Sequence, residues 1–178
     1  RRKKGIGYYS SNSIIGQNAT LEEYCDAIAA AGYLASEPGT FSYGLGALLL
    51  GRIIEVIWEK KVGRFVRFSE ICNQKLFSPL NMDTAAFFLD DGDPRTSKIP
   101  QLYGAVAKDS SEKLEVKPYR DCLPNVESFP NTVTTDQYQG FRKCESGDTG
   151  SCMTVQDYAK FYEMLLADGL AADGTKIL

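Results

Sequence analysis

Histidine is absent from all 178 residues. That single absence excludes a Ser-His-Asp or Cys-His triad and any His-ligated metal within this chain. Acid–base chemistry must therefore use other residue types. Basic charge is also short: 20 Lys and Arg stand against 23 Asp and Glu, for a net charge of −3. No basic field is left to draw in a phosphate backbone, so no nucleic-acid partner is expected. The one basic cluster, Arg1-Arg2-Lys3-Lys4, reads as a solvated chain end. No apolar run approaches the roughly 18 residues of a membrane span, and no apolar signal region opens the sequence, so a soluble chain is expected. The five cysteines, Cys25, Cys72, Cys122, Cys144 and Cys152, are odd in number and irregular in spacing. They match neither a disulfide framework nor a Cys-x-x-Cys zinc site, which favours free thiols in a reducing, cytoplasmic setting. Whether Cys144 and Cys152 pair across the glycine-rich turn between them stays open, because sequence separation does not say which way side chains face. No metal and no cofactor is implied.

With 43% of residues hydrophobic and 24% charged, the chain can bury a core as one structural unit. Thr20-Leu21-Glu22-Glu23 has capping-box spacing, and Leu21, Tyr24, Cys25 and Ile28 recur at helical intervals until Gly32. After the turn at Glu37-Pro38-Gly39-Thr40, the stretch from Tyr43 to Lys61 is long enough to favour helix over strand. Its apolar residues, Leu45, Leu48, Leu49, Ile53, Ile54, Val56 and Ile57, cover most of the circumference, which predicts a core helix buried between others. A third helix is expected over Arg64 to Leu76, from Phe65, Phe68, Ile71 and Cys72. Prolines then punctuate short apolar pieces such as Gln101-Leu102-Tyr103 and Lys113-Leu114-Glu115-Val116, which predicts loops with short strands. Thr154 is placed to cap a last helix through Ala167, with Asp157 at the box position and Tyr158, Phe161, Met164 and Leu165 as its apolar face.

Three blocks then carry a resemblance. Pro38-Gly39-Thr40-Phe41-Ser42-Tyr43-Gly44-Leu45, continuing through Leu48 to Glu55, resembles the tyrosine-motif segment of class C beta-lactamase-like hydrolases and family VIII esterases, within the wider penicillin-binding-protein-like group. Leu76-Phe77-Ser78-Pro79-Leu80-Asn81-Met82-Asp83-Thr84 is similar to that family's Phe-x-Pro-Leu-Gly-Met-x-x-Thr stretch. Gly150 to Phe161 resembles its glycine-rich turn leading into Ser-Thr-x-x-Asp-Tyr-x-x-Phe, and the tail Asp173 to Leu178 is similar to the loop that follows.

The resemblance implies an α+β fold, here mainly the helical part of a beta-lactamase/transpeptidase-like fold, with most of the central antiparallel sheet outside this chain. One partial domain is then expected over 1–178, helical over about 20–84, irregular over about 85–150, with the last helix over about 154–168. In such enzymes a Ser-x-x-Lys serine attacks an amide or ester carbonyl, and the motif tyrosine shares in moving its proton. By resemblance that tyrosine is Tyr43. No Ser-x-x-Lys precedes Tyr43 and no Lys-Thr-Gly-like strand follows the last helix, so the resemblance implies a central fragment, inactive alone. Gly44 and Leu45 lean toward an esterase-like branch rather than a dedicated lactamase.

The implied partner is a small-molecule amide or ester in the complete protein. The apolar surface left without its sheet favours a homo-oligomer. The alternative is a non-catalytic relative serving as a binding or assembly module. Ser110-Ser111-Glu112-Lys113 matches Ser-x-x-Lys formally, but it lies in a polar stretch after the tyrosine segment and reads as a decoy. Gly147-Asp148-Thr149-Gly150 reads as a tight turn rather than an aspartic-protease turn, since no second such carboxylate is visible. Asp90, Asp91 and Asp93 lack the spacing of a calcium loop and read as a solvated acidic turn.

Overall fold

The structure is a computed structural model, and it describes residues 19–31, 46–101, 103–107, 114–118, 143–147 and 150–178. Helix α1, Leu21–Ala31, starts where the capping box places it. Thr20 Oγ1 accepts from the Glu23 amide at 3.2 Å, and Glu23 Oε2 accepts from the Thr20 amide at 2.8 Å, so two otherwise orphaned donors are satisfied reciprocally. Leu21, Tyr24 and Ile28 form its buried stripe.

Helix α2 spans Gly46–Val62 and ends at Gly63, whose φ of 75° and bond to the Glu59 carbonyl close the last turn. The expectation of a helix buried on most sides is corrected. Only Leu48, Gly51 and Glu55 are buried, one stripe at i, i+3 and i+7, while Leu50 at 59%, Ile53 at 50% and Ile57 at 59% are exposed. The reason is the number of neighbours: α1 and the short helix α3, Phe68–Cys72, pack against α2 among the described residues, and they cover one face. Leu21 of α1 lies against Gly51, where an added Cβ would already be in contact at 3.5 Å.

The third predicted helix is shorter at its start. Arg67 is extended, α3 begins at Phe68, and from Asn73 to Phe77 the ladder widens into a π-helical turn. The run stops at Asn81, which takes a φ of 54° that asparagine tolerates better than most residues, while the Met82 amide reaches back to the Phe77 carbonyl at 2.8 Å. Ala86 then forms an isolated antiparallel bridge with Cys152. Beyond it lie a 3-10 turn at Pro94–Lys98 and the hairpin of β1, Tyr103–Ala107, with β2, Leu114–Pro118, in register from Tyr103↔Pro118 to Ala107↔Leu114.

Helix α4, Val155–Leu166, is capped by Thr154 Oγ1, which accepts from the Asp157 amide at 3.3 Å. Its buried face differs from the expected one. Met164 is 1% exposed and Asp157 is buried, whereas Tyr158 and Leu165 are about half exposed. The helix closes on Asp168 and Gly169, both left-handed, with the Gly169 amide bonded to the Met164 carbonyl.

Two apolar clusters form the core. One joins Leu21, Tyr24 and Ile28 to Leu48; the other joins Phe77, Leu80, Met82 and Phe87 to Met164 and Ala171. Phe68 packs against both, with its ring edge-on to Phe87 at 5.3 Å between centroids. The fold class is α+β, helix-rich with a small antiparallel sheet.

Candidate functional site

Tyr43 lies outside the described residues, as do Ser110, Ser111, Lys113 and Asp148. The described chain resumes three residues after Tyr43, at the first turn of α2, and the glycine-rich turn packs there. A Cβ added to Gly147 would sit 2.5 Å from the Ala47 carbonyl oxygen, closer than real Cβ atoms come, so this backbone approach requires glycine. The Gly150 amide donates to the Ser146 carbonyl at 3.0 Å and closes the turn tightly.

Glu145 anchors this segment, and no sequence pattern had marked it. It is 2% exposed. Its Oε2 accepts from the Ser69 amide at 2.6 Å; its Oε1 accepts from Ser69 Oγ at 2.8 Å and Arg67 Nε at 2.7 Å, with Arg67 Nη2 at 2.5 Å. The carboxylate thus satisfies a donor at the start of α3 and is neutralised by an arginine, as a buried charge must be. On the neighbouring amide, Glu55 Oε1 accepts from Phe68 N at 3.2 Å and Glu55 Oε2 from Arg52 at 3.2 Å, while Arg52 also reaches Glu22 of α1 at 2.5 Å. Burial pushes the Glu55 carboxyl above its ordinary range, and the donors from Arg52 and Phe68 offset this only in part. Glu55 did carry a sequence signal, since it is the only acidic residue between Gly46 and Ile57.

A second polar hub ties α4 down. Asp157 Oδ2 accepts from the Thr84 amide at 2.7 Å and from Thr84 Oγ1 at 2.5 Å, and Oδ1 accepts from Lys160 at 2.7 Å. Lys160 also donates to the Asn81 carbonyl. Burial pushes Asp157 up, but the bonds from Lys160 and Thr84 outweigh it and hold the carboxyl below its ordinary range. Asp157 is at the capping-box position, yet its carboxylate turns to Thr84 rather than back to Thr154. All these carboxylates are occupied by donors, which suits them to holding backbone in place rather than to abstracting a substrate proton.

Cys144 and Cys152 do not pair with each other. Burial, with the charge of Glu145 adding to it, pushes the Cys72 thiol up to about 12, and burial raises Cys25 and Cys152, so these three stay protonated near neutral pH and are poor nucleophiles. Asp93 accepts from the Arg95 amide and guanidinium, and it caps the 3-10 turn. No group of three metal-ligating side chains, and no helix long and apolar enough to cross a membrane, occurs among the described residues.

Among solved structures the chain is similar to D-amino acid amidase from Ochrobactrum anthropi SV3, determined with L-phenylalanine amide, at 17% identity and a TM-score of 0.52 over 99% of this chain and 42% of that one. It is also similar to an octameric penicillin-binding protein homologue from Pyrococcus abyssi, at 22% identity and a TM-score of 0.48 over 99% of this chain and 34% of that one. The chain therefore spans less than half the length of either. No family model and no curated protein matches the sequence. The likeness to the amidase gives the fold: the chain is a helix-rich part of a beta-lactamase-like architecture.

Proposed function

We propose that this part of a beta-lactamase-like fold belongs to a serine hydrolase acting on an amide or ester bond, with Tyr43 as the proton-relay tyrosine. The nucleophilic serine is contributed from outside these 178 residues. Its Oγ forms the new ester bond to the substrate carbonyl carbon as its proton passes through the Tyr43 relay toward the leaving amine or alcohol; water then cleaves the acyl-serine. A hydroxyl is a weak nucleophile until a base withdraws its proton, and a tyrosine with a lysine meets that need in a chain without histidine.

The observation that carries the reading is the order of three motif blocks, around Tyr43, Phe77 to Thr84 and Gly150 to Phe161, along a chain that has this fold. Gly44 and Leu45 favour an esterase-like member of the class C and family VIII group. The exposed apolar face of α2 favours a homo-oligomer, and the free thiols favour a reducing compartment.

The test is intact-protein mass spectrometry of the complete protein, before and after incubation with a penicillin and with an activated acyl ester. The expected result is a covalent acyl adduct, formed roughly 100- to 10,000-fold more slowly in Tyr43→Phe. An adduct that forms at the full rate in Tyr43→Phe sinks the relay role. No adduct with either reagent leaves a binding or assembly module instead.

A further inference from the structure

Between Gly46 and Ile57, helix α2 carries two charged residues, and both turn toward neighbouring elements: Arg52 reaches Glu22 of α1, and Glu55 accepts from the Phe68 amide at the start of α3. The outward face holds Leu49, Leu50, Ile53, Ile54 and Ile57, each more than a third exposed. Leu50, Ile53 and Ile57 follow one another at three and four residues, the spacing at which two helices interlock side chains along a seam. Burial costs the isoleucines little freedom, because in a helix they already hold one preferred χ1. Together the five expose on the order of 500 Å² of apolar surface, which is large for one patch on a monomer and, against the roughly 800 Å² that each partner gives a standard interface, suits a reversible pair. At its C-terminal end the stripe runs into Lys60 and Lys61, three and four residues after Ile57. Two copies laid parallel would bring four lysines together; laid antiparallel, they carry the lysines to opposite ends and leave apolar side chains at the centre.

We infer that this face of α2 is a two-fold interface with a second copy of the chain, the two α2 helices lying antiparallel, with Ile53 near the axis and Leu50 of each copy toward Ile57 of the other. The inference rests on the homo-oligomer reading above and adds to it the surface and the orientation. A second copy fits the face better than an acidic partner does. The stripe itself bears no cation to recognise one, Lys61 at its end already lies over the Trp58 ring at 5.1 Å from the centroid, and a two-fold pairing sets an uncharged stripe against another like it.

The experiment uses the complete protein. Light scattering at about 100 µM, well above a micromolar dissociation constant, is expected to find a dimer or a multiple of it. Ile53→Asp, which puts a charge at the axis, is expected to raise the dissociation constant roughly 100-fold. Orientation is read from cysteine pairs: Leu50→Cys mixed with Ile57→Cys is expected to cross-link on oxidation with copper phenanthroline, and Leu50→Cys alone is not, with peptide mapping to tell the link from the chain's five own cysteines. A monomer at that concentration overturns the inference and the homo-oligomer reading together, and a monomer that sediments with phosphatidylglycerol vesicles gives the face to a lipid surface instead. An oligomer that Ile53→Asp leaves intact, or that forms no link between Leu50→Cys and Ile57→Cys, overturns this surface while the homo-oligomer reading stands. Leu50→Cys linking to itself overturns the antiparallel pairing. Both cysteine changes fall at exposed positions, so they carry the test even where Ile53→Asp does not fold.

Discussion

Helices α2 and α4 each bury one carboxylate that accepts a backbone amide far away in sequence, and the two carboxylates behave oppositely. Asp157 of α4 accepts from Lys160 and from both the amide and the hydroxyl of Thr84, and its carboxyl is held below its ordinary range. Glu55 of α2 has Arg52 and the Phe68 amide, but Arg52 is shared with Glu22 and the next amide along belongs to a second carboxylate, Glu145. Burial therefore wins at Glu55 and loses at Asp157. Burial pushes both carboxyls up; at Asp157 the bonds from Lys160 and Thr84 outweigh it, and at Glu55 those from Arg52 and Phe68 do not, with the charge of Glu145 adding to the burial.

Four changes sharpen or break this contrast. The largest effect is expected two turns along α4 from Asp157, at Met164: truncation to alanine leaves a cavity in the second cluster and should cost about 2–5 kcal/mol, read as a shift of the urea midpoint. Asp157→Asn should cost about 2 kcal/mol, because a charged acceptor shared by Thr84 and Lys160 becomes a neutral one. Glu55→Gln should cost about 1 kcal/mol or less, since Arg52 keeps Glu22 and the amide oxygen still accepts from Phe68. A larger loss at Glu55 than at Asp157 would reverse the comparison.

The smallest effect is in pH dependence, and its sign differs between the two sites. Asp157 sits below its unfolded value of about 3.9, so its contribution is complete above that pH and is lost as pH falls below it. Glu55 sits above its unfolded value of about 4.3, so stability rises as pH falls through its folded pKa toward that value and is lost as pH rises back. Urea midpoints at neutral, mildly acidic and strongly acidic pH should show Asp157→Asn removing the acid loss and Glu55→Gln removing the mild-acid gain.

Local rules made much of the fold legible. Thr20 and Thr154 cap where their side-chain chemistry says they must, because a cap needs only its own next three residues. The strands at Tyr103–Ala107 and Leu114–Pro118 fall on or beside the short apolar pieces that suggested them. The candidate site was legible only as far as its motif, since Tyr43 lies outside the described residues while the contacts beside α2 come from Glu145 and Gly147, about a hundred positions later.

Where neighbours decide, sequence pattern went astray. Leu50, Ile53 and Ile57 satisfy any hydrophobic template for a core helix, yet periodicity reports which face is apolar and not what stands opposite it. Tyr158 and Leu165 turned outward because the stripe of α4 is set by Asp157 reaching Thr84 and Met164 reaching Phe77 and Met82, partners supplied by a distant part of the chain. The sequence by itself determined the helices, their caps, the missing histidine and the motif order, all of them consequences of bonds and side chains within a few residues. Only the tertiary structure decided which apolar faces are covered, which cysteines stay apart and which carboxyl is pushed up and which held down, because burial and hydrogen-bond partners are properties of neighbours that folding brings together.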